Sequence, residues 1–202
     1  PGSDALIPTG ILGGHRRVAG HGRLLWRVTC HVILGCMSED PRFYLDKADP
    51  ASWKALNGLS RQVADSLAEA GLSRVVAELV NVRVSQLNGC GFCLDMHVKL
   101  ARRAGVTDRQ LAVLTAWEET ELFDDVECAA LTVAEIAAEL PDQVTRRSRL
   151  EAAREVLTDA QFSAVQWAAI TIGAFNRLSI LSEYPVQERA LDRKKKAEAR
   201  HD

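Results

Sequence analysis

Cys90, Cys93 and His97 follow one another at i, i+3 and i+7, a spacing that places all three on one face of a helix. Cys90 falls at the first turn of that helix, where unpaired backbone N–H groups and the macrodipole favour an anion. A thiolate is such an anion, and it is the reactive form of cysteine. His97 lies one turn beyond Cys93, so it can take the thiol proton or hold a thiolate–imidazolium pair. The two cysteines are close enough to form a disulfide once one of them is oxidised. The spacing therefore provides an attacking thiol, a resolving thiol and a base.

Glu78 is the fourth candidate. It sits within Val75-Val76-Ala77-Glu78-Leu79-Val80, where a carboxylate needs a partner or a raised pKa, and either condition suits proton transfer. Asn88-Gly89 breaks this helix and folds it back against the cysteine helix, bringing the carboxylate towards Cys90 or His97. A plain ion pair with Arg74, one turn back, is the competing reading. The same four side chains can also be read as part of a zinc site. Structural zinc usually takes four ligands, often as two separated pairs, and no second Cys-x-x-Cys or His pair occurs in the sequence. No metal and no tightly held organic cofactor is expected. Cys30, Cys36 and Cys128 have no matching partners, and Cys128 reads as a small core residue. Asp95 and Lys99, four apart, read as a solvated helix pair.

These residues must be positioned by helices. Asp49-Pro50 is a helix start, followed by an apolar stripe of Trp53, Leu56, Leu59, Val63 and Leu67 that ends at Gly71. Ser73 caps a helix to about Leu87 that is apolar on nearly every side, so it lies deep in the protein or at a subunit interface. A third helix runs from near Cys90 to Gly105. Thr107 and Gln110 form a capping box for a helix to about Glu119, and Thr158 and Gln161 form another for a long helix ending before Pro185. Between them, Asp124 to Leu140 reads as a helix closed by Pro141, and about Thr145 to Leu157 as a shorter one. Trp117 and Trp167 lie in apolar helix patterns and read as core or interface packing. No alternating strand pattern, phosphate-binding glycine loop or long repeat is present.

Composition agrees with an all-α protein. Of the 202 residues, 47% are hydrophobic, 5% aromatic and 26% charged, a balance that suits amphipathic helices. A formal net charge of -2 gives no general attraction to nucleic acid or anionic lipid. Five cysteines, an odd number at uneven spacing, do not form a secreted disulfide framework. No stretch reaches the roughly 20 apolar residues of a membrane span. Leu24 to Gly35 comes nearest, but Arg27 and His31 interrupt it, which also weighs against a signal peptide. Residues 1–36 read as a poorly ordered or non-native extension, 37–188 as the helical domain and 189–202 as a charged tail.

The run Glu78, eleven residues, Cys90-Gly91-Phe92-Cys93, three residues, His97 resembles the E-x11-C-x-x-C-x-x-x-H pattern of AhpD-like alkylhydroperoxidases of the carboxymuconolactone decarboxylase superfamily. The segment from Arg83 to His97 and the run Asn176-Arg177-Leu178-Ser179 ahead of Tyr184-Pro185 are similar to that family too, so the resemblance covers roughly residues 40 to 188. It implies an AhpD-like helical bundle assembled as trimers or hexamers, in the cytoplasm, that reduces organic hydroperoxides or hydrogen peroxide. By that analogy Cys93 attacks the peroxide, Cys90 resolves the sulfenic acid as a disulfide, and Glu78 and His97 relay protons. An external dithiol or a redox partner protein would supply the reducing equivalents. Some relatives carry a second histidine just before the second cysteine; here Phe92 occupies that position, leaving open a protein dithiol–disulfide oxidoreductase or redox sensor. A non-enzymatic helical assembly with structural cysteines is the reading from another class.

Overall fold

A computed structural model describes residues 42–186, and every regular element within them is helical. The expectations for residues 1–36, Cys30, Cys36 and the tail from 189 lie outside the described residues. A single turn, α1 (Leu45–Ala48), precedes α2 (Pro50–Glu69), α3 (Arg74–Leu87), α4 (Gly91–Ala104), α5 (Asp108–Val113), α6 (Asp125–Glu139), α7 (Gln143–Val156) and α8 (Asp159–Leu181). No helix among the described residues is long and apolar enough to cross a membrane.

Local signals set most of these bounds. The Asp49 carboxylate accepts from the backbone N–H of Ala51 and Ser52 at the start of α2, and Gly71 turns the chain away at φ +75°. The Ser73 hydroxyl accepts from Val76 N at the start of α3. Reciprocal capping boxes open α5 (Thr107 with Gln110), α6 (Asp124 with Glu127) and α8 (Thr158 with Gln161). The helix α7 begins two residues before the expected Thr145, because the Asp142 carboxylate caps Val144 N and Thr145 N.

The helix expected from Thr107 to Glu119 does not run through. After α5 the chain becomes a 3-10 segment, Leu114–Glu119, with Ala116 out of helical geometry at φ -128°, ψ 37°. The kink buries both Leu114 and Trp117 and lets the Trp117 indole N–H reach Glu135 Oε1 at 2.8 Å. Of the two readings of Trp167, core or interface, the structure excludes the core: it is 49% exposed, beside Ile170 on the outer face of α8. Periodicity identifies a helix but not which face its neighbours cover.

The apolar α3 is the central element, packed against α4, α6 and α8. Val76, Ala77, Val80 and Val84 join α2, α6 and α8 in one core, while Leu79 and Val82 join Ala101, Leu114, Trp117 and Leu131 in a second. Each fully buried Val or Leu contributes about 1.5–3 kcal/mol, so a helix feeding two cores must be apolar on most sides. Only Glu78 and Ser85 interrupt its buried surface with polar groups, and both serve the site described next.

Candidate active site

The break between α3 and α4 is fixed from three sides. Gly89 adopts φ +68°, a left-handed conformation that glycine takes without steric penalty, and Cys90 N donates to Ser85 O at 3.0 Å. The wholly buried Asn176 of α8 accepts from Asn88 Nδ2 at 2.9 Å and donates from its own amide to Ser85 Oγ at 3.0 Å. The long helix thus holds the turn that starts the cysteine helix. The neighbouring Arg177 instead donates to Gly173 O of its own helix.

Cys90 is the N-cap residue of α4, and its Sγ accepts from Cys93 N at 3.3 Å. Sulfur at this position faces the positive end of the helix dipole. Cys90 and Cys93 are joined as a disulfide, with Cα atoms 5.4 Å apart, and both residues are 1% exposed. His97 follows Cys93 by one turn and is buried.

Glu78 is fully buried and uses both oxygens. Oε2 lies 2.7 Å from His97 Nδ1 and accepts from Asn81 Nδ2 at 3.4 Å. Oε1 faces Arg74 Nη2 at 2.5 Å, a charge contact whose N–H alignment does not make it a hydrogen bond. Burial is the largest influence on this carboxyl and opposes its charge. His97, through hydrogen bond and charge, then Arg74 and Asn81, together outweigh burial and hold it below its ordinary range. An ionised carboxylate only accepts, so the proton between the two groups sits on Nδ1 and Nε2 is the ring's remaining site.

A cavity of about 490 Å³ adjoins this pair and is bounded by α2, α3, α4, α8 and Tyr184. Cys93 and His97 line it, as do Arg74 and Asn81; Cys90 and Glu78 stand behind that lining. Phe92, at the position of the second histidine of some relatives, stacks on Tyr184 with ring centroids 5.2 Å apart. Tyr184 donates to Asp46; its own burial first, and then this bond, push its pKa up to about 12.

The structure therefore places Glu78 against His97, joins Cys90 to Cys93, and puts Cys93 and His97 on one cavity. Glu78 meets both partners that its readings named, Arg74 through Oε1 and His97 through Oε2. Asn81 and Tyr184 also line the cavity and were not among the candidates, although Tyr184 was named in the family-like run. Asn81 was detectable as a polar residue three positions after Glu78 on the same face; Tyr184 depends on a chain reversal that no local pattern specifies. Cys128 is half-buried against the second core, and burial, with Asp125 and Glu127 next, pushes its thiol up. Lys99 and Asp95 pair at 2.5 Å. No group of three or more His, Cys, Asp or Glu among the described residues is arranged to hold a metal ion.

The model of the carboxymuconolactone decarboxylase family matches residues 50–135, a span that includes all four candidates. The chain is 33% identical over 112 residues to the uncharacterised Bacillus subtilis protein YdfG, covering 55% of this chain and 76% of that protein. It is 42% identical over 84 residues to the uncharacterised Escherichia coli protein YnjA, covering 40% of this chain and 46% of that one. An alkyl hydroperoxide reductase AhpD from Streptomyces coelicolor is 40% identical over 72 residues, covering 34% of this chain and 38% of the relative. The match thus spans less than half of the E. coli and Streptomyces proteins. The crystal structure of an Agrobacterium tumefaciens protein of unknown function, described as an AhpD-type antioxidant defence protein, superposes with a TM-score of 0.67 at 25% identity, over 74% of this chain and all of that one. Motif, fold and relatives agree: the chain belongs to the carboxymuconolactone decarboxylase family, as an AhpD-like member.

Proposed function

We propose that this protein is a thiol-dependent peroxidase that reduces hydroperoxides through a Cys90–Cys93 dithiol–disulfide cycle. One observation carries the reading: of the two cysteines, Cys93 lines the cavity, together with a histidine whose Nδ1 is held by a buried, ionised Glu78. In the reduced protein, a neutral His97 takes the Cys93 thiol proton on Nε2, and Glu78 stabilises the imidazolium that results. The Cys93 thiolate attacks the distal oxygen of ROOH. The O–O bond breaks, Cys93 becomes a sulfenic acid, and the alkoxide leaves as ROH with the proton from His97. The Cys90 thiol then attacks the Cys93 sulfur, forming the disulfide and releasing water. An external dithiol returns two electrons and two protons and leaves as its own disulfide.

The second reading, a protein dithiol–disulfide oxidoreductase or redox sensor, draws on Phe92 standing where some relatives have a histidine. The burial of both cysteines, each 1% exposed as a residue, favours a small substrate over a protein disulfide, so the peroxidase reading is preferred. The exposed Trp167 and Ile170 on α8 support self-association. Peroxide consumption with a small dithiol reductant tests the proposal. The parent protein should turn over and Cys93→Ser should not; equal rates would remove Cys93 from the role.

A further inference from the structure

Several polar residues outside the proton relay line the cavity beside Cys93, among them Asn57, Ser60, Thr171 and Ser179, and of the lining residues Thr171 is the one with a buried side-chain oxygen left unpaired. Thr171 is 4% exposed and lines the cavity, yet its hydroxyl has no hydrogen-bond partner among the described residues. A threonine within a helix ordinarily hides its hydroxyl by donating to the carbonyl four residues back, as Thr132 does to Cys128 O at 3.0 Å. Thr171 does not. Buried hydroxyls in native proteins are nearly always paired, so this one calls for a partner from the cavity itself. Its surroundings on α8, Ala168, Ile172 and Phe175, are apolar and line the same space. A charged ligand group would be left unpaired there, whereas a neutral oxygen would gain a donor and an acceptor in one hydroxyl.

The cavity also extends along α8. Its α8 wall runs from Ala168 to Ser179, about 16 Å at the rise of a helix. Tyr184, whose N–H bonds to Ser179 O, stacks on Phe92 beside Cys93 at one end. Thr171 lies eight residues from Ser179, or about 12 Å along the helix. A ligand that reaches both is therefore a chain rather than a compact molecule.

We propose that this cavity binds the aliphatic body of an oxygenated organic hydroperoxide, with the peroxide group at Cys93 and a neutral carbonyl or hydroxyl paired with Thr171. The identification of the ligand as a hydroperoxide rests on the peroxidase reading above; the aliphatic site with its Thr171 contact does not. Thr171 is thus a specificity residue that selects long, oxygen-bearing substrates.

Binding without turnover separates the two claims. Methyl decanoate, a chain with a neutral carbonyl, and pentylbenzene, which has no oxygen, would be titrated calorimetrically into the parent protein, Thr171→Val and Thr171→Ser. Loss of one neutral hydrogen bond predicts methyl decanoate binding about tenfold weaker in Thr171→Val, near-parent binding in Thr171→Ser, and pentylbenzene binding no weaker in any variant. Unchanged methyl decanoate affinity in Thr171→Val would mean that only water meets the hydroxyl and would overturn the proposal. Failure of the parent protein to bind either probe would overturn it too. Neither outcome would touch the peroxidase reading, which stands or falls on Cys93→Ser.

Discussion

Glu78 and Glu135 are both carboxylates buried in largely apolar helices, yet their surroundings differ in kind. Glu135 is enclosed by donors that do not exchange protons near neutral pH. Arg83 Nε and Nη2 meet Oε1 at 2.8 and 2.7 Å, the Trp117 indole N–H reaches the same oxygen, and Arg149 Nη2 approaches Oε2 at 3.3 Å. A guanidinium stays charged in proteins and an indole only donates, so this cluster ties α3, α6, α7 and the 3-10 segment together. Glu78 shares its charge between Arg74, which is half-exposed, and His97, which opens on a cavity beside Cys93. Burial and charge alone therefore do not set Glu78 apart as the carboxylate of the proposed relay. The distinguishing feature is a partner that can carry a proton and reaches open space.

The largest effect that would test this contrast is on stability. Glu135→Gln leaves the nearly buried Arg83 guanidinium without its counter-charge, and breaking such a pair costs about 3–5 kcal/mol. Urea unfolding should show that loss, while peroxide turnover per folded molecule stays at the parent level. Turnover impaired as strongly as stability would erase the distinction between the two carboxylates.

Glu78→Gln should do the reverse. Turnover should fall about 100-fold, the scale of a general acid–base contribution. Stability should fall by only about 1 kcal/mol, since Arg74 remains solvated. The pH dependence should separate the variants further. The Glu78 carboxyl is held below its ordinary value, so its contribution to stability is complete above about 4.3. That contribution is lost as pH falls through the depressed value. The parent should show this acid loss and Glu78→Gln should show less of it, read from unfolding midpoints across that range. The smallest effect is expected at Cys128. Its thiol is pushed up by burial and nearby carboxylates, so Cys128→Ser should leave peroxide consumption unchanged.

The contrast between the carboxylates was only half legible in the sequence. Signals confined to one turn were read correctly: Asp49-Pro50, the boxes at Thr107 and Thr158, the Asn88-Gly89 break, and the face shared by Cys90, Cys93 and His97. Each depends on chemistry within four residues. Glu78 posed a choice between Arg74 and the site, because spacing cannot assign two oxygens to two partners. What failed or stayed open depends on contacts distant in sequence. The kink at Ala116 goes with the contact of Trp117 to Glu135, and Asn176 holds a turn some ninety positions earlier. Trp167 faces outward because α8 turns its other side to α2, α3 and α6. Thr171 stands in an apolar run as a visible exception, but only the cavity gives that exception a meaning.

The most direct test of the thiol chemistry is to locate the oxygen after a single turnover. Reduced Cys90→Ser protein, in which the intermediate cannot be resolved, would be treated with one equivalent of an organic hydroperoxide. A sulfenic-acid trap and peptide mass spectrometry would then show where the oxygen went. The label should fall on Cys93, with one molecule of alcohol formed per chain, and Glu78→Gln in the same background should slow its appearance. An unlabelled Cys93 with the hydroperoxide unconsumed would contradict the assignment.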